Sequence, residues 1–74
     1  MEYKDRIISD PDIMLGKPVI KGTRIPVELL LRKSSEGMSI QKLLKAYPSL
    51  EEDDILAAFS YSADVIGKEE IIAP

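Results

Sequence analysis

Between residues 16 and 24, two glycines, three basic side chains and a threonine follow one another as GKPVIKGTR. Glycine, lysine and threonine in close succession are the parts of a phosphate loop, whose backbone N–H groups cradle the phosphates while the lysine reaches them. The order here does not suit that chemistry. Lys21-Gly22-Thr23 inverts the Gly-Lys-Thr order, and Pro18, Val19 and Ile20 stiffen the interval after Gly16. Pro26, which opens the following helical pattern, has no N–H to offer an anion. The stretch reads instead as an extended segment, a tight turn at Gly22 and a proline-started helix. Thr23 is placed to bond local backbone. What remains for chemistry is charge: Lys17, Lys21 and Arg24, followed by Arg32 and Lys33.

A second candidate is the acidic run Glu51, Glu52, Asp53 and Asp54. Four carboxylates together suggest a divalent cation, but no second cluster stands elsewhere in the sequence to converge on it. Acids in the first turn of a helix complement the helix dipole, which accounts for the run without a metal. The chain contains no histidine and no cysteine. The commonest general base and the thiol nucleophile are therefore absent, as are thiolate and imidazole metal ligands. We expect no enzyme activity, no catalytic residue, no metal and no cofactor.

The elements that position these residues follow from hydrophobic spacing. Arg6-Ile7-Ile8 and Pro18-Val19-Ile20 are short β-prone runs, separated by the turn signal SDPDI with Pro11 at its second position. Val27, Leu30, Leu31 and Ser34 fall at i, i+3, i+4 and i+7, predicting a first helix over 26–36 that Gly37 terminates. Ser39 is an N-cap ahead of a second stripe, Ile40, Leu43, Leu44 and Tyr47, which Pro48 stops. Ser49 and Glu52 have capping-box spacing for a third helix ending at Gly67, with Ile55, Phe59, Ala63 and Ile66 as its core face and Leu56 beside them. The expected organisation is an extended β arm over 1–25, a three-helix core over 26–67 and a tail over 68–74. The tail has no clear pattern: two expectations stand, disorder or packing of Ile71 and Ile72 on a partner. Two short helices with a tight break fit a helix-turn-helix, and equally any three-helix bundle. The class is mainly α, a three-helix bundle with a short N-terminal β arm or hairpin.

With 74 residues the chain is at most one domain, and 45% hydrophobic content in so short a chain favours burial in an assembly. A homodimer is expected, the arm strands pairing with those of a second subunit or packing on the first helix, since isolated short strands are not stable. No apolar run resembles a secretion signal or a membrane span, so no membrane association and a cytoplasmic location are expected. The net charge of −3 is unevenly spread. Residues 1–33 hold seven Lys/Arg against five Asp/Glu, and residues 34–74 hold three against eight. Contacts with an anionic partner therefore belong to the front half.

The stretches GKPVIKGTRIPVELL and EGMSIQKLLKAYPSLEEDDILAAFSY resemble the bacterial and archaeal domain-of-unknown-function family numbered 433. Its pattern joins a GTRIPV box, an EG-x-S turn, a YP-x-L break and an A-A-L/F-x-Y stretch, and the resemblance covers about residues 6–63. It implies a homeodomain-like helix-turn-helix with a short β arm, related to VapB-type antitoxins. It further implies a role in binding and silencing a PIN-like ribonuclease toxin, with autoregulation of the shared operon. The expected partner-binding residues are Lys17, Lys21, Thr23, Arg24, Arg32 and Lys33. Two alternatives stand beside this expectation: a DNA-binding transcriptional regulator, and a structural dimer. Helix 3 weakens the DNA alternative, because its start is acidic, it lacks Lys and Arg from Glu51 to Gly67, and Leu56 stands where a polar side chain would serve.

Overall fold

The structure is a computed structural model and describes residues 2–68. Two strands, β1 (Ile7–Ile8) and β2 (Val19–Ile20), precede three helices, α1 (Val27–Ser35), α2 (Ile40–Ala46) and α3 (Glu52–Gly67). A mainly helical domain with a short N-terminal antiparallel hairpin is the class the sequence predicts. No helix among the described residues is long and apolar enough to cross a membrane.

The strands pair with each other, Ile7 opposite Ile20 and Ile8 opposite Val19. This replaces the expected pairing with a second subunit's arm. The chain supplies its own partner because the turn at 10–13 brings it back. Asp10 accepts the Ile13 N–H at its carbonyl (2.8 Å) and the Asp12 N–H at Oδ1 (2.9 Å), with Pro11 between. On its other side β2 bridges to Pro26, and Val27 N–H donates to the Pro18 carbonyl (2.9 Å). β2 thus has partners on both edges, and Val19 and Ile20 are buried rather than forming a detached arm.

The core joins Ile20, Val27, Leu30, Leu43, Leu50, Ile55 and Ala58, so the hairpin and all three helices share it. The first stripe behaves as predicted: Val27 and Leu30 are buried, and Leu31 packs against the core. Gly37 ends α1 at φ 97°, with its N–H on the Ser34 carbonyl (3.0 Å) and Met38 N–H on the Lys33 carbonyl (3.1 Å). That is a Schellman closure, which needs a left-handed residue and so favours glycine. Ser39 caps α2 as expected, its Oγ accepting the Lys42 N–H (3.2 Å).

Two details of α3 differ from the sequence prediction. Glu51, not Ser49, is its N-cap, and Asp54 Oδ2 reaches back to the Glu51 N–H (2.8 Å). The helix starts later because Leu50 is drawn into the core and its N–H closes a turn onto the Tyr47 carbonyl (3.0 Å). The inward face also differs. Ile55 is buried and Phe59 packs on the core, but Ala63 and Ile66 are exposed. The buried positions are Asp54, Ile55, Ala57, Ala58 and Ser62. Small side chains let helices approach closely, and a pattern search weighted to bulky residues passes over them. The expected tail contacts of Ile71 and Ile72 lie outside the described residues. At the other end of the chain, Tyr3 packs edge-on against Tyr61 of α3, centroids 5.4 Å apart at 87°.

Candidate functional site

The four residues Lys21, Gly22, Thr23 and Arg24 connect β2 to Ile25 as a closed turn. Ile20 N–H donates to the Ile25 carbonyl (3.0 Å), and Thr23 N–H donates to the Ile20 carbonyl (3.0 Å). Gly22 sits at φ 80°, a conformation for which glycine is suited. The Thr23 hydroxyl donates to the Ile20 carbonyl (2.7 Å) and accepts the Ile25 N–H (3.0 Å). Thr23 is thus a builder of the turn, with its oxygen already occupied, rather than an outward contact. Lys21 is anchored through its backbone, its N–H donating to the Arg6 carbonyl (2.8 Å).

The five basic candidates separate into two groups. Lys21 and Arg24 are exposed on the turn and form no ion pair among the described residues. The others lie near acids or on another face. Lys17 Nζ pairs with Glu28 Oε1 on α1. That hydrogen bond, reinforced by the charge of Lys17, holds the Glu28 carboxyl below its ordinary range against an opposing desolvation, with Arg32 adding a lesser pull in the same direction as Lys17. Lys33 pairs loosely with Glu36, one turn on, at 3.8 Å. The structure therefore places Lys21 and Arg24 together, presented by Thr23, and engages Lys17 and Lys33 with helical carboxylates.

Arg6 is the charged residue that the sequence does not single out. Its Nη1 lies 2.9 Å from Asp54 Oδ1 and 3.3 Å from Glu51 Oε2, and its Nη2 lies 3.8 Å from Asp53 Oδ2. The hydrogen bonds to Asp54 and then Glu51 hold the guanidinium above its ordinary range. Part of the acidic run therefore has a partner beyond the helix dipole: it clamps the hairpin to the start of α3. No group of three or more acids, histidines or cysteines among the described residues is placed to hold a metal. A shallow apolar groove of about 320 Å³ runs between α1 and the last turns of α3, with Lys17 and Glu28 on its rim.

These features define a class: a small helical domain braced by a hairpin, carrying a rigid cationic turn. Residues 7–62 match the family described as "Protein of unknown function (DUF433)", and the chain belongs to that family. A crystal structure of a DUF433 member from Anabaena variabilis superposes with a TM-score of 0.81 at 31% identity, over 88% of this chain and 64% of that one. The uncharacterized protein y4eO of Sinorhizobium fredii is 37% identical over 59 residues, 80% of this chain but 27% of its own length. An uncharacterized protein of Archaeoglobus fulgidus is 57% identical over 28 residues, 38% of this chain and 78% of its own. The chain thus spans about a quarter of the length of the Sinorhizobium relative.

Proposed function

We propose that this domain is a non-enzymatic binding module of antitoxin type, which uses the Lys21–Arg24 turn to engage an acidic surface on a protein partner. The partner class is a PIN-like ribonuclease, whose metal-binding acids form a concentrated negative site. A lysine and an arginine on a preordered turn can fill such a site through charge-assisted hydrogen bonds. Little loop ordering is then lost on binding. The observation that carries this proposal is the contrast between Thr23 and its neighbours. The threonine spends its hydroxyl on fixing the turn, while Lys21 and Arg24 remain exposed and free of ion pairs among the described residues.

The test is co-purification with the product of the adjacent gene and with a PIN-like ribonuclease, followed by the double variant Lys21→Glu, Arg24→Glu. Reversal of two charges at a cationic contact is expected to weaken association by at least about tenfold, because like charges then face each other across the interface. Unchanged association would overturn the proposal. Operator binding, and with it autoregulation, is the secondary expectation. The start of α3, which would approach bases in a helix-turn-helix, is acidic and engaged by Arg6, so any DNA contact is assigned to the basic front half. A steep fall of DNA affinity with salt would mark such binding.

A further inference from the structure

Three and two residues before Lys17, the backbone takes a left-handed course at non-glycine positions: Met14 has φ 51° and Leu15 φ 59°. L-residues other than Asn and Asp seldom adopt that conformation. The turn is closed by Gly16 N–H on the Ile13 carbonyl (3.1 Å) and Lys17 N–H on the Met14 carbonyl (3.2 Å). It leaves the Leu15 side chain outside the domain, 94% exposed. Among the described residues, nothing packs over that apolar side chain.

The matching cavity is adjacent. Lys17 and Pro18 begin one wall of the apolar groove between α1 and α3, whose floor and sides come from Val27, Leu31, Tyr61 and Ile66. Two trans peptides place the Cα atoms of Leu15 and Lys17 within about 8 Å of each other. The exposed leucine is therefore close along the chain to one wall of the groove, and a self-complementary two-fold contact can use the two together. Charge agrees with that arrangement. Asp12, three residues ahead of the knob, and Arg32, next to Leu31 of the groove, are both exposed and form no ion pair among the described residues. Reciprocal insertion offers each the opposite charge on the facing copy.

We infer that the groove is filled by a second copy of this chain, Leu15 of each copy seating between α1 and α3 of the other with Asp12 facing Arg32. The contact is independent of the Lys21–Arg24 proposal, since neither residue lines the groove. The arrangement gives a homodimer a defined surface, distinct from strand exchange.

Light scattering of the full chain over a concentration series tests it. The native chain is expected at twice its 8.3 kDa mass at tens of micromolar. Leu15→Asp and Arg32→Asp are each expected to shift the dimer midpoint by about tenfold or more, as for a central apolar anchor and a facing charge. Combining Asp12→Arg with Arg32→Asp is expected to restore the native midpoint. Leu15→Gly relieves the left-handed strain, so it should melt no lower in circular dichroism yet dissociate like Leu15→Asp; this separates a lost contact from a lost fold. A native chain that stays monomeric, an unshifted midpoint in Leu15→Asp, or a charge exchange that fails to restore it would each overturn the inference. Dimerisation appearing only on Ile71→Asp, Ile72→Asp would also overturn it, by showing that the chain's own C-terminal segment fills the groove.

Discussion

Thr23 holds both ends of a four-residue turn with one hydroxyl, donating at 2.7 Å to Ile20 and accepting at 3.0 Å from Ile25. Valine has nearly the same shape but neither capability. Thr23→Val is therefore expected to lower the stability of the domain by about 1–2 kcal/mol, with two half-buried backbone groups losing a partner. Urea unfolding monitored by circular dichroism would measure it, and Thr23→Ser should recover most of the loss. The same substitution is expected to loosen partner binding even though Thr23 makes no contact, because Lys21 and Arg24 lose their fixed spacing. The Gly22 turn and its cations are legible from the sequence, since glycine between a β-prone run and a proline-started helix has few other uses. Arg6 is not: its partners Glu51 and Asp54 lie 45 and 48 residues away, and no local spacing encodes them.

At the level of elements, local signals carried most of the boundaries. The α1 stripe, the glycine closure at Gly37 and the Ser39 cap each depend on residues within one or two turns, so α1 and α2 fall within a residue or so of their predicted limits. The start and inward face of α3 depend on tertiary packing: Leu50 is pulled inward ahead of the helix, and Ala57, Ala58 and Ser62 face the interior because they are small. Periodicity alone favours Ala63 and Ile66, which are exposed. Between elements, the Lys17–Glu28 pair ties the segment before β2 to the first turn of α1. Glu28 is held below its ordinary value near 4.5, so ionised Glu28 is favoured in the folded state. Its contribution is fully present above that ordinary value and is lost as the pH falls through the depressed folded one. Melting temperatures of the native chain and Glu28→Gln are expected to differ above about pH 5 and to converge in more acidic solution. A difference independent of pH would argue against the pair as its source.

For the molecule as a whole, small size sets the scale of every effect. Domains are stable by roughly 0.05–0.15 kcal/mol per residue, which leaves a 74-residue chain only several kcal/mol. Leu43 is fully buried in the cluster that joins the hairpin to all three helices. Leu43→Ala is expected to cost about 2–5 kcal/mol, enough to remove much of that stability and to lower the melting temperature sharply. A loss below about 1 kcal/mol would mean that the core collapses around the gap. The uneven charge also takes its meaning at this scale. Arg6 draws the acidic start of α3 onto the hairpin, while Lys21 and Arg24 are left facing outward.

One contact at the chain's beginning makes the molecule its own instrument. The sequence contains three tyrosines and no tryptophan, and two of the three, Tyr3 and Tyr61, meet edge to face. Burial and the neighbouring Asp64 carboxylate hold the Tyr3 phenol above its ordinary range. Near-ultraviolet dichroism and tyrosine emission therefore report, without any attached dye, whether the first residues lie against α3. An N-terminal fusion or a bound partner that lifts Tyr3 away would announce itself as a spectral change.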